Sequence, residues 1–124
     1  MSPEKARESL LMAKEFYSAL PDASRRPVAV KCISWIFNPN LPEILPPDSN
    51  LVSLLKMVHP YPVHSGREDG LWFVFLHESK FDPATASRAS SLQRAILDYI
   101  EKGGRWRSGG MFIMMDEIQQ GFLN

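Results

Sequence analysis

The chain of 124 residues sets 14 Lys+Arg against 14 Asp+Glu, for a formal net charge of zero, with 44% hydrophobic and 23% charged residues. That length predicts one domain spanning residues 1–124, and the composition excludes a disordered tail, a collagen repeat and a disulfide scaffold. The neutral balance argues against duplex nucleic acid, whose phosphates demand a basic excess.

The chain has one cysteine, Cys32. It therefore has no intrachain disulfide, which predicts a reducing compartment. The start, Met1 to Glu8, is charged and lacks the apolar stretch of a secretory signal. The longest apolar runs, Leu71 to Leu76 and Met111 to Met115, fall well short of the ~20 residues that cross a bilayer. A cytoplasmic protein is expected.

Ser2-Pro3-Glu4 carries a hydroxyl N-cap, a proline at the first helical position and an acid in the first turn. Ala6, Leu10, Ala13, Tyr17 and Leu20 follow at helical spacing, predicting an amphipathic helix over 3–20 that Pro21 and Asp22 stop. Val28 to Phe37 is rich in β-branched and aromatic residues and reads as a strand. Cys32, Ile33, Ile36 and Phe37 also fit a helix, so both readings stand. Four prolines stiffen residues 38–47, with room for one helical turn around Glu43 to Leu45.

Asp48 and Ser49 compete to cap a helix from Asn50 to Met57, with Leu51, Leu54, Leu55 and Val58 inward. His59 to Val63 alternates with prolines and is an edge strand at best. Ser65 to Gly70 is a turn, and Leu71 to His77 predicts a central strand, apolar on both faces. A polar loop over 79–89 leads to a helix capped by Ser90 or Ser91. That helix buries Leu92, Ile96, Leu97 and Ile100, and Gly103-Gly104 end it. Arg105 to Gly110 reads as a flexible basic loop and Met111 to Met115 as the last strand. This order predicts an α+β fold, a small mixed β-sheet of four strands flanked by helices. So small a sheet leaves an edge or face for another domain or subunit to complete.

The chemistry-bearing residues are sparse. His59, His64 and His77 lack the tight spacing of a zinc site, and no metal is expected. Cys32 lies within an apolar run and reads as a small core residue. Neither a Walker loop nor a G-x-G-x-x-G fingerprint occurs. Ser90 and Ser91 open a helix, whose free N–H groups can hold an anion. Around them Arg88, Arg94, Lys102, Arg105 and Arg107 outnumber Asp98 and Glu101. His77-Glu78 follows the expected central strand, at the end where open sheets place ligands. Of the tryptophans, Trp35 and Trp72 read as core, while Trp106, in the basic glycine loop, reads as a ligand or partner surface.

Cys32-Ile33-Ser34-Trp35-Ile36-Phe37-Asn38-Pro39, then Leu41, Leu45-Pro46 and Asp48-Ser49-Asn50-Leu51, resemble the C-terminal domain of two-part bacterial GNAT-like acyltransferases. Trp72-Phe73-Val74-Phe75, Ser91-Leu92-Gln93-Arg94-Ala95, Gly103-Gly104 and Gly109-Gly110 extend the resemblance, which runs from about Ala29 to Ile113. It implies a GNAT-like fold, an acyl-CoA donor, an amine acceptor and another domain N-terminal to this one. Carried onto these residues, the helix start at Ser90 and Ser91, with Arg88 and Arg94, would hold the CoA diphosphate. His77 or Glu78 would deprotonate the amine. GNAT enzymes ordinarily cradle the diphosphate on a glycine-containing loop, whereas no glycine stands between Phe75 and Leu92, so serines would take that place. The alternative is a non-catalytic partner domain that completes a catalytic neighbour. No nucleic acid or membrane partner is expected, and a homo-oligomer is compatible with the sequence.

Overall fold

The computed structural model describes residues 2–76 and 80–119. Helix α1 (Pro3–Ser18) starts where the sequence places it, with the Ser2 hydroxyl accepting from the Lys5 N–H at 3.3 Å. Strand β1 (Ala29–Ser34) runs directly into a 3-10 turn at Trp35–Phe37. The ambiguous segment thus holds both of its readings in succession. Short helix α2 (Leu41–Ile44) and helix α3 (Asn50–Lys56) follow, and Ser49 rather than Asp48 caps α3. Strand β2 (His59–Tyr61), helix α4 (Leu71–Phe75), helix α5 (Ser91–Glu101) and strand β3 (Gly109–Met114) complete the order.

The α+β class with helices around a small sheet holds. Among the described residues the sheet has three strands in the order β1-β3-β2, both pairings antiparallel. The missing strand is the segment from Leu71, which is helix α4. Gly70 enters it at φ 79° in the left-handed region, and Leu76 leaves it at φ 50°, its N–H donating to Trp72 O at 2.8 Å. Leu71 and Phe75, four residues apart, are buried, while Trp72 and Phe73 between them are exposed. That is helical periodicity hidden inside an apolar run, which hydrophobicity alone does not separate from a strand.

The main core joins Phe37, Leu41, Leu54, Leu55, Val58, Leu71, Phe75, Ile96, Leu97, Trp106 and Met111. A second cluster, Ile113, Met115 and Ile118 with Leu10, Leu11 and Val30, seats α1. Two tryptophan expectations reverse. Trp106 is 1% exposed, its indole N–H donating to Asp69 O at 3.0 Å, while Trp72 is 54% exposed and stacked on Phe73. The expected flexible loop at 105–110 is tied down. Arg105 donates to Ser65 O, the Ser108 N–H donates to Ser65 Oγ at 2.7 Å, and Gly109-Gly110 already belong to β3. A Cβ on Gly109 would lie 1.8 Å from Phe37 O, so only glycine permits that approach. Cys32, expected in the core, is exposed on β1, because β1 is an edge strand and the helices cover it only in part.

Candidate functional site

The helix start singled out in the sequence is well built, chiefly for the chain's own groups. The Ser90 hydroxyl accepts from the Gln93 N–H, and the Gln93 side chain accepts from the Ser90 N–H, each at 3.1 Å. This reciprocal cap satisfies two donors at once. The Gln93 amide also donates to Val74 O at 3.0 Å and accepts from Ser87 Oγ. The exit of α4 is thereby fastened beside the first turn of α5.

Two arginines were expected to support an anion here, and the structure gives them different tasks. Arg88 pairs with Asp98 at 3.0 Å and Glu101 at 2.6 Å; the hydrogen bonds it donates to those carboxylates, Asp98 foremost, raise its pKa above the ordinary value. Its charge is matched within the chain. Arg94 folds back onto the carbonyls of Arg88 and Ala89, at 2.9 and 3.0 Å. It holds the pre-helix turn and faces no carboxylate partner among the described residues.

Ser91 and Leu92 supply the first-turn N–H groups that the capping box leaves unengaged. Beside them opens a groove of ≈ 920 Å³, whose lining includes Ser91 and Arg94 from α5 and Leu45 and Ser49 from the turn between α2 and α3. Asp98 and Lys102 also line it. The sequence located the α5 side of this groove. The opposite wall was missed, because it comes from a proline-rich segment some forty residues earlier and only packing brings the two together.

His77 and Glu78, the residues assigned to amine deprotonation, lie outside the described residues. His59 pairs with Glu117 at 2.6 Å and rests on the Phe112 ring. The pair is 58 positions apart, and no local spacing signals it. Among the described residues no cluster of three or more His, Cys, Asp or Glu could hold a metal. Among them, too, no helix is long and apolar enough to cross a membrane.

The model of the GNAT-like C-terminal domain matches residues 1–113. The chain belongs to that family. Solved structures agree with the assignment in fold. An acyltransferase in complex with decanoyl-CoA and teicoplanin is 23% identical, with a TM-score of 0.76 over 93% of this chain and 37% of that one. An acyltransferase in complex with CoA and 10C-teicoplanin gives the same identity, TM-score and coverage. An acyltransferase mutant with octanoyl-CoA is 23% identical, with a TM-score of 0.75 over 92% of this chain and 36% of that one. At this identity the likeness shows the fold alone. The GNAT-like domain spans little more than a third of the length of these acyltransferases. No relative was found among curated proteins.

Proposed function

We propose that this GNAT-like domain is the C-terminal part of an acyl-CoA-dependent acyltransferase and that the first turn of α5 contacts the donor's diphosphate. The observation that carries the reading is the shared fold, over 92–93% of the chain, with acyltransferases solved with acyl-CoA or CoA. The groove beside α5 adds local support. The N–H groups of Ser91 and Leu92 point out of a helix N-terminus, where partial positive charge favours an anion. Arg94 adds a full charge within the same turn. Ser90 and Arg88 act indirectly in this reading: Ser90 sets the cap, and Arg88 braces α5 through Asp98 and Glu101. The acceptor is an amine, and His77 or Glu78, directly following the segment that Gln93 ties to the cap, is the proposed base. Attack of the neutral amine on the thioester carbonyl forms the amide and expels the CoA thiolate, which takes up the amine's proton through that base.

Titration of the chain with octanoyl-CoA and decanoyl-CoA, followed by calorimetry and thermal unfolding, tests the proposal. Binding that Arg94→Ala weakens by about tenfold, as for loss of one charge-assisted contact, supports it; Arg88→Ala should weaken binding less. No heat and no change in melting temperature at millimolar acyl-CoA would overturn donor binding by this chain.

A second reading has its own observation. The fold makes up only 36–37% of the solved acyltransferase chains, and among the described residues no strand pairs with the outer edge of β1. A domain that completes a catalytic neighbour without binding the donor itself would melt unchanged with acyl-CoA, yet be stabilised by that neighbour.

A further inference from the structure

We propose that the outer edge of β1 is a docking site for an extended segment from another part of the acyltransferase chain, which adds a fourth strand to the sheet. The proposal rests on the reading of this domain as one part of a longer enzyme, and it names the surface through which the parts join.

The backbone sets the geometry. The Met115 N–H donates to Val28 O, and in an antiparallel ladder the N–H and C=O of successive residues turn to opposite sides. Val28, Val30, Cys32 and Ser34 therefore bond inward to β3, while Ala29, Lys31 and Ile33 turn their N–H and C=O outward. In the order β1-β3-β2 no described strand meets them. The opposite edge is defended: β2 has three residues, one of them Pro60, and Pro62 follows. β1 has six residues, no proline and a single charge, Lys31.

The side chains point the same way. Val28 is 74% and Ile33 59% exposed. The register places Ala29 beside Met114, Lys31 beside Phe112 and Ile33 beside Gly110. Ile33, Phe112 and Met114 thus share one sheet face, and all three are exposed. A long, nearly uncharged edge with apolar neighbours invites pairing, and proteins that leave such an edge open aggregate.

Charge and length identify the occupant. A second copy would face Lys31 with Lys31 in the register that pairs all three outward residues, a like-charge opposition that antiparallel sheets disfavour. A strand with an acidic residue opposite Lys31, flanked by β-branched residues opposite Ala29 and Ile33, is complementary. The matched acyltransferases are nearly three times as long as this fold's share of them, which leaves ample chain to supply that strand.

The probe is the acetylated, amidated heptapeptide Thr-Val-Thr-Glu-Thr-Val-Thr, added to the isotopically labelled chain at millimolar concentration. Amide NMR should show shifts centred on Ala29, Lys31 and Ile33 and about tenfold slower hydrogen exchange at Lys31 and Ile33. Lys31→Pro removes only an outward N–H, so it should keep the β1–β3 ladder and lose the response. Lys31→Glu should prefer the peptide with lysine in place of glutamate. Absence of a response, or an equal response in a folded Lys31→Pro, overturns the proposal. So does a doubled mass by light scattering with these amides protected before peptide is added, which assigns the edge to a second copy. Octanoyl-CoA titration of the unaltered chain separates the two readings: absent donor binding with retained peptide binding removes the acyl-transfer assignment alone, and the converse removes strand addition alone.

Discussion

The loops around Trp106 and the outer edge of β1 present opposite solutions to the same requirement, that backbone polar groups find partners. Around Trp106 two irregular segments, 65–69 and 105–108, close on one another. Ser65 accepts from the Ser108 N–H and donates to Asp69 at 3.1 Å, Asp69 accepts from the Gly66 N–H, and the Trp106 indole bonds the Asp69 carbonyl. At β1 three residues turn their hydrogen-bonding groups away from the sheet, beside exposed Ile33 and Val28. An irregular segment can thus be the closed part of a domain, and a regular strand the open one.

The contrast can be broken most sharply at the closed end. Trp106→Ala removes a fully buried indole and leaves the Asp69 carbonyl without its partner. Loss of about 3–5 kcal/mol is expected, read by chemical denaturation; a loss below about 1 kcal/mol would show that these loops do not hold the fold. Gly109→Ala forces a methyl against Phe37 O, with an expected cost of about 1–3 kcal/mol from backbone displacement. Ser90→Ala deletes the α5 cap and should cost about 1 kcal/mol. It should also lower acyl-CoA affinity, because the first turn that contacts the donor frays.

Two smaller effects follow, the first on the β2 side of the sheet and the second at the open edge. Glu117 has its pKa lowered, first by the Met114 N–H and then by His59. The unfolded chain therefore takes up this proton at a higher pH than the folded one. The stabilisation is fully present above the ordinary glutamate range and is lost as pH falls through the lowered folded value. Melting curves of the unaltered chain and Glu117→Gln should separate near neutrality and converge in acid. Ile33→Thr, on the exposed edge, should change the stability of this chain by no more than about 0.5 kcal/mol, while weakening strand addition. A large loss of stability would mean that this edge is already covered.

Helix ends were legible because capping is local. Ser2, Ser49 and Ser90 each sit three residues before the N–H they accept from, and Gly103 ends α5 at φ 87°. The α4 segment was misread as a strand because Leu71 to Leu76 is apolar throughout. Which of those side chains face the core depends on α5 and Trp106, distant in sequence. The candidate site divides the same way. Ser91 and Arg94 follow from the pattern of α5, whereas the pairing of Arg88 with Asp98 and Glu101, and the groove wall at Leu45 and Ser49, exist only in the packed molecule.

By itself the sequence determined the Ser2 cap, the glycine stop of α5, the helices α1, α3 and α5, and the membership in the GNAT-like family, and it narrowed the caps of α3 and α5 to two neighbouring residues each. These rest on interactions spanning a few residues or on patterns written along one element. Tertiary structure alone decided that Trp106 is buried and Trp72 exposed, that Gly109 meets Phe37, that His59 finds Glu117, and that β1 is left at the edge. Each of these outcomes depends on which surfaces remain once every element has competed for the same apolar interior.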